Sequence, residues 1–455
     1  MEPVFAVVGH PNKGKSSIVA TLAQDDTVAI SAQSGTTQVS EALTLDQGEA
    51  RYSLVDTPGF QRPTAVLAWL RSHAETAEKR QSAVSAFVED EDCRRNYPDE
   101  VELLTPIVNG AAILYVVDGS RPYGSEYENE MEILRWTGQP SMALINPIEN
   151  ESHIDSWTRA LEQYFKVVKV FNPLQAGFEK QLAILETFSL LKEEWAPALT
   201  ALVSGARDNR VNQQVESIEQ LARLLVTLCG YHISQKVLSK EQAFVLKPAV
   251  EKQYTAAIKK MEFEALENLK RIYAYRKLDS HIADLTFEDD LFDTEKWIVW
   301  GLNRKQLTLA ATVAGATAGA VVDAGLVGQS FMLGSIGGGL VAGGSAWFGA
   351  DKIADVTIKG LPVGGFELRQ GPIKNKNFPY VILGRYLSMA VALRNRNHAR
   401  QDTLTIREND LSTALEKLSS AESRKIHDAF GKLSRQKSVD DLSSVLKPIF
   451  DLTTF

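Results

Sequence analysis

The 455-residue sequence holds only two cysteines, Cys93 and Cys229. That excludes a disulfide framework and any metal cluster built on cysteine thiolates, and it suits a reducing, cytoplasmic setting. Basic residues are also short: 49 Lys and Arg face 57 Asp and Glu, a net charge of −8. Such a balance lacks the positive surface that neutralises a phosphate backbone, so a nucleic-acid partner is not expected. The opening MEPVFAVVGHPNKGKS has no basic stretch ahead of its apolar run and does not read as a secretory signal. There is no periodic repeat and no long low-complexity linker. The one long stretch nearly free of charge is internal, at residues 307–350.

The composition is 44% hydrophobic and 23% charged, which suits a folded chain of two or three domains. Val4 to Val8 is a short β-branched run that ends at Gly9, the pattern of a buried strand entering a turn. A helix follows Lys15. Val39–Leu45 and Arg51–Val55 read as a hairpin, and Ala111–Val117, Met142–Ile145 and Val167–Phe171 as further strands. Helical patterns cover 65–88, 126–136, 154–164 and 178–190. This alternation predicts an α/β domain over residues 1–192, a largely parallel sheet with helices on both faces. Long amphipathic helices are expected over 193–306 and a Gly/Ala-rich helical hairpin over 307–350. A small β-hairpin around Gly364-Gly365 and further helices fill 351–455, and everything after 192 is expected to form one C-terminal domain.

Gly9-His10-Pro11-Asn12-Lys13-Gly14-Lys15-Ser16 matches G-x-x-x-x-G-K-S between a strand and a helix. In that context the loop wraps its N–H groups around phosphates, and the helix N-terminus adds donors and a favourable dipole. Gly9, Asn12, Lys13, Gly14, Lys15, Ser16 and Ser17 are the candidate nucleotide contacts. Lys15 should reach the β- and γ-phosphates, and the Ser16 hydroxyl should ligate Mg²⁺. Asp56-Thr57-Pro58-Gly59 closes a strand about forty residues further on. There Asp56 can hold Mg²⁺ through a water, and the Gly59 N–H can sense a γ-phosphate. In Ser34-Gly35-Thr36-Thr37 between them, Thr37, or else Thr36, can close on Mg²⁺ and the γ-phosphate. No histidine shows metal-ligand spacing.

The run G-H-P-N-K-G-K-S, then G-T-T, then D-T-P-G-F resembles the Era and TrmE group of translation-factor-related bacterial GTPases. The resemblance implies a Ras-like G domain with a mixed six-stranded sheet, and slow GTP hydrolysis with Mg²⁺ as a nucleotide-dependent switch. It also implies catalytic roles for Lys15, Thr37, Gly59 and Asn12. Phe60 stands where Ras-like enzymes carry a water-orienting Gln, as in the Era group. Asn12 matches the asparagine that helps hold K⁺ in potassium-activated relatives. The base motif N-K-x-D corresponds to Asn146-Pro147-Ile148-Glu149, so Asn146 and Glu149 are the expected guanine contacts. Pro147 replaces the lysine and Glu149 the aspartate, and Asn172-Pro173-Leu174 is the nearest match to the last motif.

The whole chain resembles bacterial proteins that pair an Era-like G domain with a C-terminal domain of unknown function. DTPGFQRPTAVLAWL, FDTEKWIVWGLNRKQL and NFPYVILGRYL carry that likeness. Residues 307–350 contain Gly315-x-x-x-Gly319 and only one ionised group, Asp323. Small residues at that spacing let helices approach closely, either as a buried hairpin or as a membrane contact anchored by Trp347 and Phe348. The segment Tyr380–Arg400, with Arg385, Arg394, Arg396, His398 and Arg400, reads as a solvated basic face, with anionic lipid, an acidic partner or the switch region of the G domain as the alternatives. The expected partners are GTP or GDP, an unidentified protein, the inner face of the membrane and a second copy of the chain. Two rival readings remain: a nucleotide-binding scaffold with little hydrolysis, and an RNA-associated assembly GTPase.

Overall fold

The computed structural model describes residues 2–25, 40–47, 50–276, 278, 356–361, 364–400 and 410–453. Thr36, Thr37 and the Gly/Ala segment 307–350, with Asp323, Trp347 and Phe348, lie outside the described residues. The chain forms two compact units. One comprises Met1–Val211, Ala274–Leu278 and Asn395–Asp402, and the other Asn212–Tyr273, Asp279–Arg394 and Thr403–Phe455.

The first unit begins with β1 (Val4–Val8), α1 (Lys15–Ala23), β2 (Glu41–Gln47) and β3 (Ala50–Asp56). Next come α2 (Pro63–His73), a 3₁₀ turn (Ala77–Lys79), α3 (Arg80–Glu89), α4 (Glu91–Asn96) and α5 (Pro98–Val108). β4 (Ala112–Asp118), α6 (Glu126–Trp136), β5 (Ser141–Asn146), α7 (Ile154–Leu161), β6 (Val168–Val170) and α8 (Phe178–Phe188) follow. The strands form one mixed sheet in the order β2-β3-β1-β4-β5-β6. Only the β2–β3 pair is antiparallel. The expected six-stranded α/β architecture is therefore present.

Strand alternation sorts β1 between two cores. Phe5 and Val7 join Ile18, Leu22, Leu114 and Phe188 on one face. Ala6 and Val8 join Leu67, Phe87, Ile113 and Tyr115 on the other. Both faces are covered, which is why these strands are apolar throughout. The single helix predicted over 65–88 is broken at Ala74, whose backbone is extended. Glu75, Thr76, Glu78 and Lys79 are all exposed and supply no apolar stripe to bury. The sequence reading also missed α4 and α5. Their start signals are local: the Asp90 carboxylate accepts the Cys93 N–H at 2.7 Å, and Pro98 occupies the first turn of α5.

After α9 (Ala196–Gly230) come β7 (Ile233–Val237), α10 (Lys240–Ile272), β8 (Val356–Gly360) and β9 (Phe366–Gln370). The chain ends in α11 (Phe378–Asn395), α12 (Asp410–Lys417), α13 (Ser420–Ser434) and α14 (Leu442–Thr453). β8 and β9 are the expected hairpin, with Gly364 and Gly365 both at positive φ in the turn. The unexpected strand β7 pairs with β9 and makes a three-stranded sheet, β7-β9-β8. Its sequence, ISQKV, is too short and polar to stand out between two long helices.

The solvated basic face expected over Tyr380–Arg400 is not what forms. α11 is buried along most of its length, and Arg385 is only 3% exposed. Its guanidinium forks onto the Glu262 carboxylate of α10, with Nε–Oε1 2.5 Å and Nη2–Oε2 3.2 Å. A charge placed there needs a partner because water cannot reach it. Arg394 donates to the Gln214 side-chain oxygen at 2.8 Å, and buried Arg396 to the Arg400 carbonyl at 2.9 Å. Replacing Glu262 by Ala should lower stability by about 3–5 kcal/mol in urea unfolding, because it strands a buried cation. The double variant Glu262→Leu, Arg385→Met should recover most of that loss.

Candidate nucleotide site

The loop from Gly9 to Ser16 joins β1 to α1. Gly14 caps α1 in a left-handed conformation and gives no side-chain hydrogen bond, and the N–H groups of a helix's first turn favour an anion. A Cβ on Gly14 would collide with the Asn146 amide nitrogen, and one on Gly9 with the Val116 carbonyl oxygen. Those two glycines are dictated by close approach as well as by positive φ.

Lys15 is buried, and its ammonium donates to the carbonyls of Gly9 at 3.4 Å and His10 at 3.2 Å. Burial pulls its pKa down to about 8, and the nearby carboxylates of Asp56 and Glu130 oppose that shift. The Ser16 hydroxyl donates to Asp56 Oδ2 at 2.6 Å, so two of the three expected metal ligands meet from α1 and the end of β3. Both are hard oxygen donors, and the pair fits Mg²⁺. Ser17 is half-buried in the first turn of α1.

The loop after β3 is locked onto the phosphate loop. Thr57 donates its hydroxyl to the Val7 carbonyl at 2.8 Å, and the Phe60 N–H reaches the Gly9 carbonyl at 3.3 Å. Gly59 lies against Pro11, where a Cβ would come within 2.6 Å of the proline nitrogen. The Phe60 ring is fully buried among Val66, Leu67 and their neighbours, so it cannot orient a water.

The residues expected to face the base lie at strand ends. Asn146, at the end of β5, donates its amide to the Lys13 carbonyl at 3.0 Å. Its side-chain oxygen is buried and has no partner among the described residues. Asn172 donates to the Pro147 carbonyl at 3.2 Å, and Thr21 of α1 to the Pro173 carbonyl at 3.0 Å. The Asn146-Pro147 and Asn172-Pro173 segments are thereby tied together and to α1. Glu149 and Asn12 are exposed, and Asn12 holds φ 61°. The Lys13 ammonium lies 3.6 Å from Asp118, so this side chain turns to a carboxylate at the end of β4.

Sequence reasoning missed a second layer. His10 Nδ1 lies 2.8 Å from Glu130 Oε1, and the Tyr115 hydroxyl donates to Glu130 Oε2 at 2.9 Å. Glu130 is 1% exposed, yet in EYENEMEILRW nothing separates it from the glutamates around it. Glu100 of α5, equally buried, accepts the N–H groups of Gln61 and Arg62.

Residues 158–444 match the family model described as a domain of unknown function, DUF3482, and residues 4–146 match the 50S ribosome-binding GTPase model. The chain belongs to the DUF3482 family of Era-related P-loop GTPases. Among curated relatives, it is similar to GTPase Der of Nitrosomonas eutropha, 39% identical over 77 residues that cover 17% of this chain and 15% of that one. It is also similar to GTPase Der of Ureaplasma parvum, 23% identical over 240 residues, 53% of this chain and 44% of that one. The chain thus spans less than half the length of these relatives. Among solved structures, Aquifex aeolicus Era bound to GDP and AlF4⁻ superposes with 16% identity and a TM-score of 0.30, over 60% of this chain and 90% of that one. Era with MgGDPNP and nucleotides of 16S ribosomal RNA gives 16% identity and 0.29, again over 60% and 90%. The LeoA bacterial dynamin GTPase from ETEC gives 12% and 0.23, over 98% and 90%.

The Asn146 bond has a measurable share in the fold of this DUF3482 member. Asn146→Ala leaves the Lys13 carbonyl without its donor, which should cost about 1–3 kcal/mol. Denaturant unfolding of the full chain reads that loss.

Proposed function

We propose that this chain binds GTP with Mg²⁺, hydrolyses it to GDP and phosphate, and acts as a nucleotide-dependent switch read out by its helical region. The observation that carries this reading is the Ser16–Asp56 contact at 2.6 Å beside the buried Lys15 ammonium. Two oxygen ligands and one cation converge there at the N-terminus of a helix, which is what a metal-bound polyphosphate requires.

Phosphate oxygens replace the Gly9 and His10 carbonyls as partners of Lys15 and supply the charge that keeps it protonated. Ser16, with Asp56 through a water, would hold Mg²⁺, which neutralises charge on the β- and γ-phosphates. The Gly59 N–H senses the γ-phosphate, and Thr37 is the proposed ligand from the other loop. Water attacks the γ-phosphorus, the bond to the β–γ bridging oxygen breaks, and GDP leaves with phosphate and a proton. Because Phe60 is locked in the core, orientation of that water falls to another group. K⁺ held beside Asn12, a second copy of the chain or a partner would fill that role, so unassisted turnover is slow. Asn146 and Glu149 are the proposed guanine contacts.

The helical region is the proposed effector toward a protein partner. α9 and α10 run 35 and 33 residues, and Leu238, Phe244, Val245 and Phe263 are exposed on this region. Among the described residues no helix is long and apolar enough to cross a membrane.

Lys15→Ala and Ser16→Ala should each abolish phosphate release from GTP in purified protein. Unchanged turnover in Lys15→Ala would refute the site. Wild type should prefer GTP over ATP in fluorescent-nucleotide titrations, and Glu149→Ala should lose about tenfold or more of that preference.

A further inference from the structure

Glu100 is a buried acidic side chain in a position where burial needs a reason. It sits in the first turn of α5, is 1% exposed, and accepts the backbone N–H of Gln61 at 2.8 Å together with that of Arg62. Those two donors are the residues immediately before α2, and Arg62 is the N-cap of that helix. The cap itself has no side-chain hydrogen bond, and Pro63 follows it. Helix N-termini carry unsatisfied N–H groups and partial positive charge, so a carboxylate is favoured there. Here it comes from another helix, about forty residues further along the chain. A carboxylate of that kind is costly to bury and is retained only with strong donors. Arg62 is held a second time, its guanidinium donating to the Asn96 carbonyl of α4 at 3.3 Å.

The same turn of α5 grips the other side. The neighbouring Glu102 accepts the Ser40 N–H at 2.9 Å, and its backbone carbonyl accepts the Ser40 hydroxyl at 3.2 Å. Ser40 lies just before β2. Two successive acidic residues of α5 therefore hold the chain on both sides of the β2–β3 hairpin. The Glu100 contact begins two residues after Gly59. The intervening Phe60 is pinned at its N–H by Gly9 and at its ring by the core, so little slack separates Glu100 from Gly59.

We propose that Glu100 is a positioning residue for the reaction: it fixes Gln61 and Arg62, and through them the Gly59 N–H, in register for a γ-phosphate, with Glu102 doing the same at Ser40. This rests on the GTPase reading of the site. Glu100 acts through the backbone of Gln61 and Arg62. It takes over in part, from within the chain, the ordering that a side chain at position 60 does not give. A residue that merely held the fold would affect GTP and GDP equally, whereas a γ-phosphate positioning residue separates them.

The test uses the full chain. Glu100→Ala should lower kcat for GTP about tenfold or more, the size expected when hydrogen bonds to a charged acceptor are lost. It should weaken a non-hydrolysable GTP analogue several-fold and leave GDP affinity within about twofold, because among the described residues Glu100 bonds to Gln61 and Arg62 and not to the phosphate loop. Glu100→Gln, which keeps an acceptor oxygen, should restore most of the activity. Should Glu100→Ala fail to fold, Glu102→Ala, at a half-buried position, should show the same split at smaller size. Equal loss of GTP-analogue and GDP affinity, or unchanged kcat in a folded Glu100→Ala protein, overturns the proposal. A wild-type protein that binds no guanine nucleotide instead overturns the reading on which it rests.

Discussion

The amide of Asn146 reaches the carbonyl of Lys13, and that bond joins the end of β5 to the loop between β1 and α1. Everything around the site is arranged about this junction. Gly14 is glycine because the Asn146 amide occupies the space of a side chain. In the same loop the Lys15 ammonium donates to the Gly9 and His10 carbonyls, and Ser16 meets Asp56 from the neighbouring strand. Asn172 and Thr21 extend the same tie to the end of β6 and to α1. The phosphate loop and the Asn146 and Asn172 segments are thus one hydrogen-bonded assembly at the carboxyl ends of parallel strands, the location that open α/β sheets offer for ligands.

The parts legible in the sequence are those whose signal is local. G-x-x-x-x-G-K-S, D-T-P-G and the apolar runs of β1, β4 and β5 announce themselves within a few residues, and the structure brings Lys15, Ser16 and Asp56 together. Other parts depend on partners distant in sequence. Glu130 looks like any other glutamate of an acidic helix until His10 and Tyr115 are seen to converge on it. Arg385 reads as surface charge because Glu262, its partner, lies more than a hundred residues away. α4 was missed because it runs only six residues, and α5 because Pro98 and Pro106 punctuate its apolar pattern. β7 was missed because a five-residue strand takes its stability from the β9 edge it joins.

Both units combine apolar cores with buried polar groups. The first derives its order from a sheet covered on both faces, with ordinary apolar cores. In the second, polar groups are buried between helices and satisfied one by one: Glu262 with Arg385, and Gln220 with the Tyr386 hydroxyl at 2.7 Å and the Ala265 carbonyl at 2.9 Å. Such networks cost desolvation and reward one packing arrangement over near alternatives. That suits a region whose task, in the switch reading, is to hold defined arrangements rather than to carry out chemistry.

Phe60 anchors the loop that follows β3. Its ring is wholly enclosed while its N–H rests on Gly9, so any large excursion of Gly59 must first extract an aromatic side chain from the interior. Exposing such a ring costs about 1.5–3 kcal/mol, enough to make open conformers a minor population. The segment therefore behaves as a latch that hops rather than a tether that drifts. Amide hydrogens at positions 59 and 60 should accordingly exchange with solvent through discrete opening events, at a pace set by the core and not by the loop.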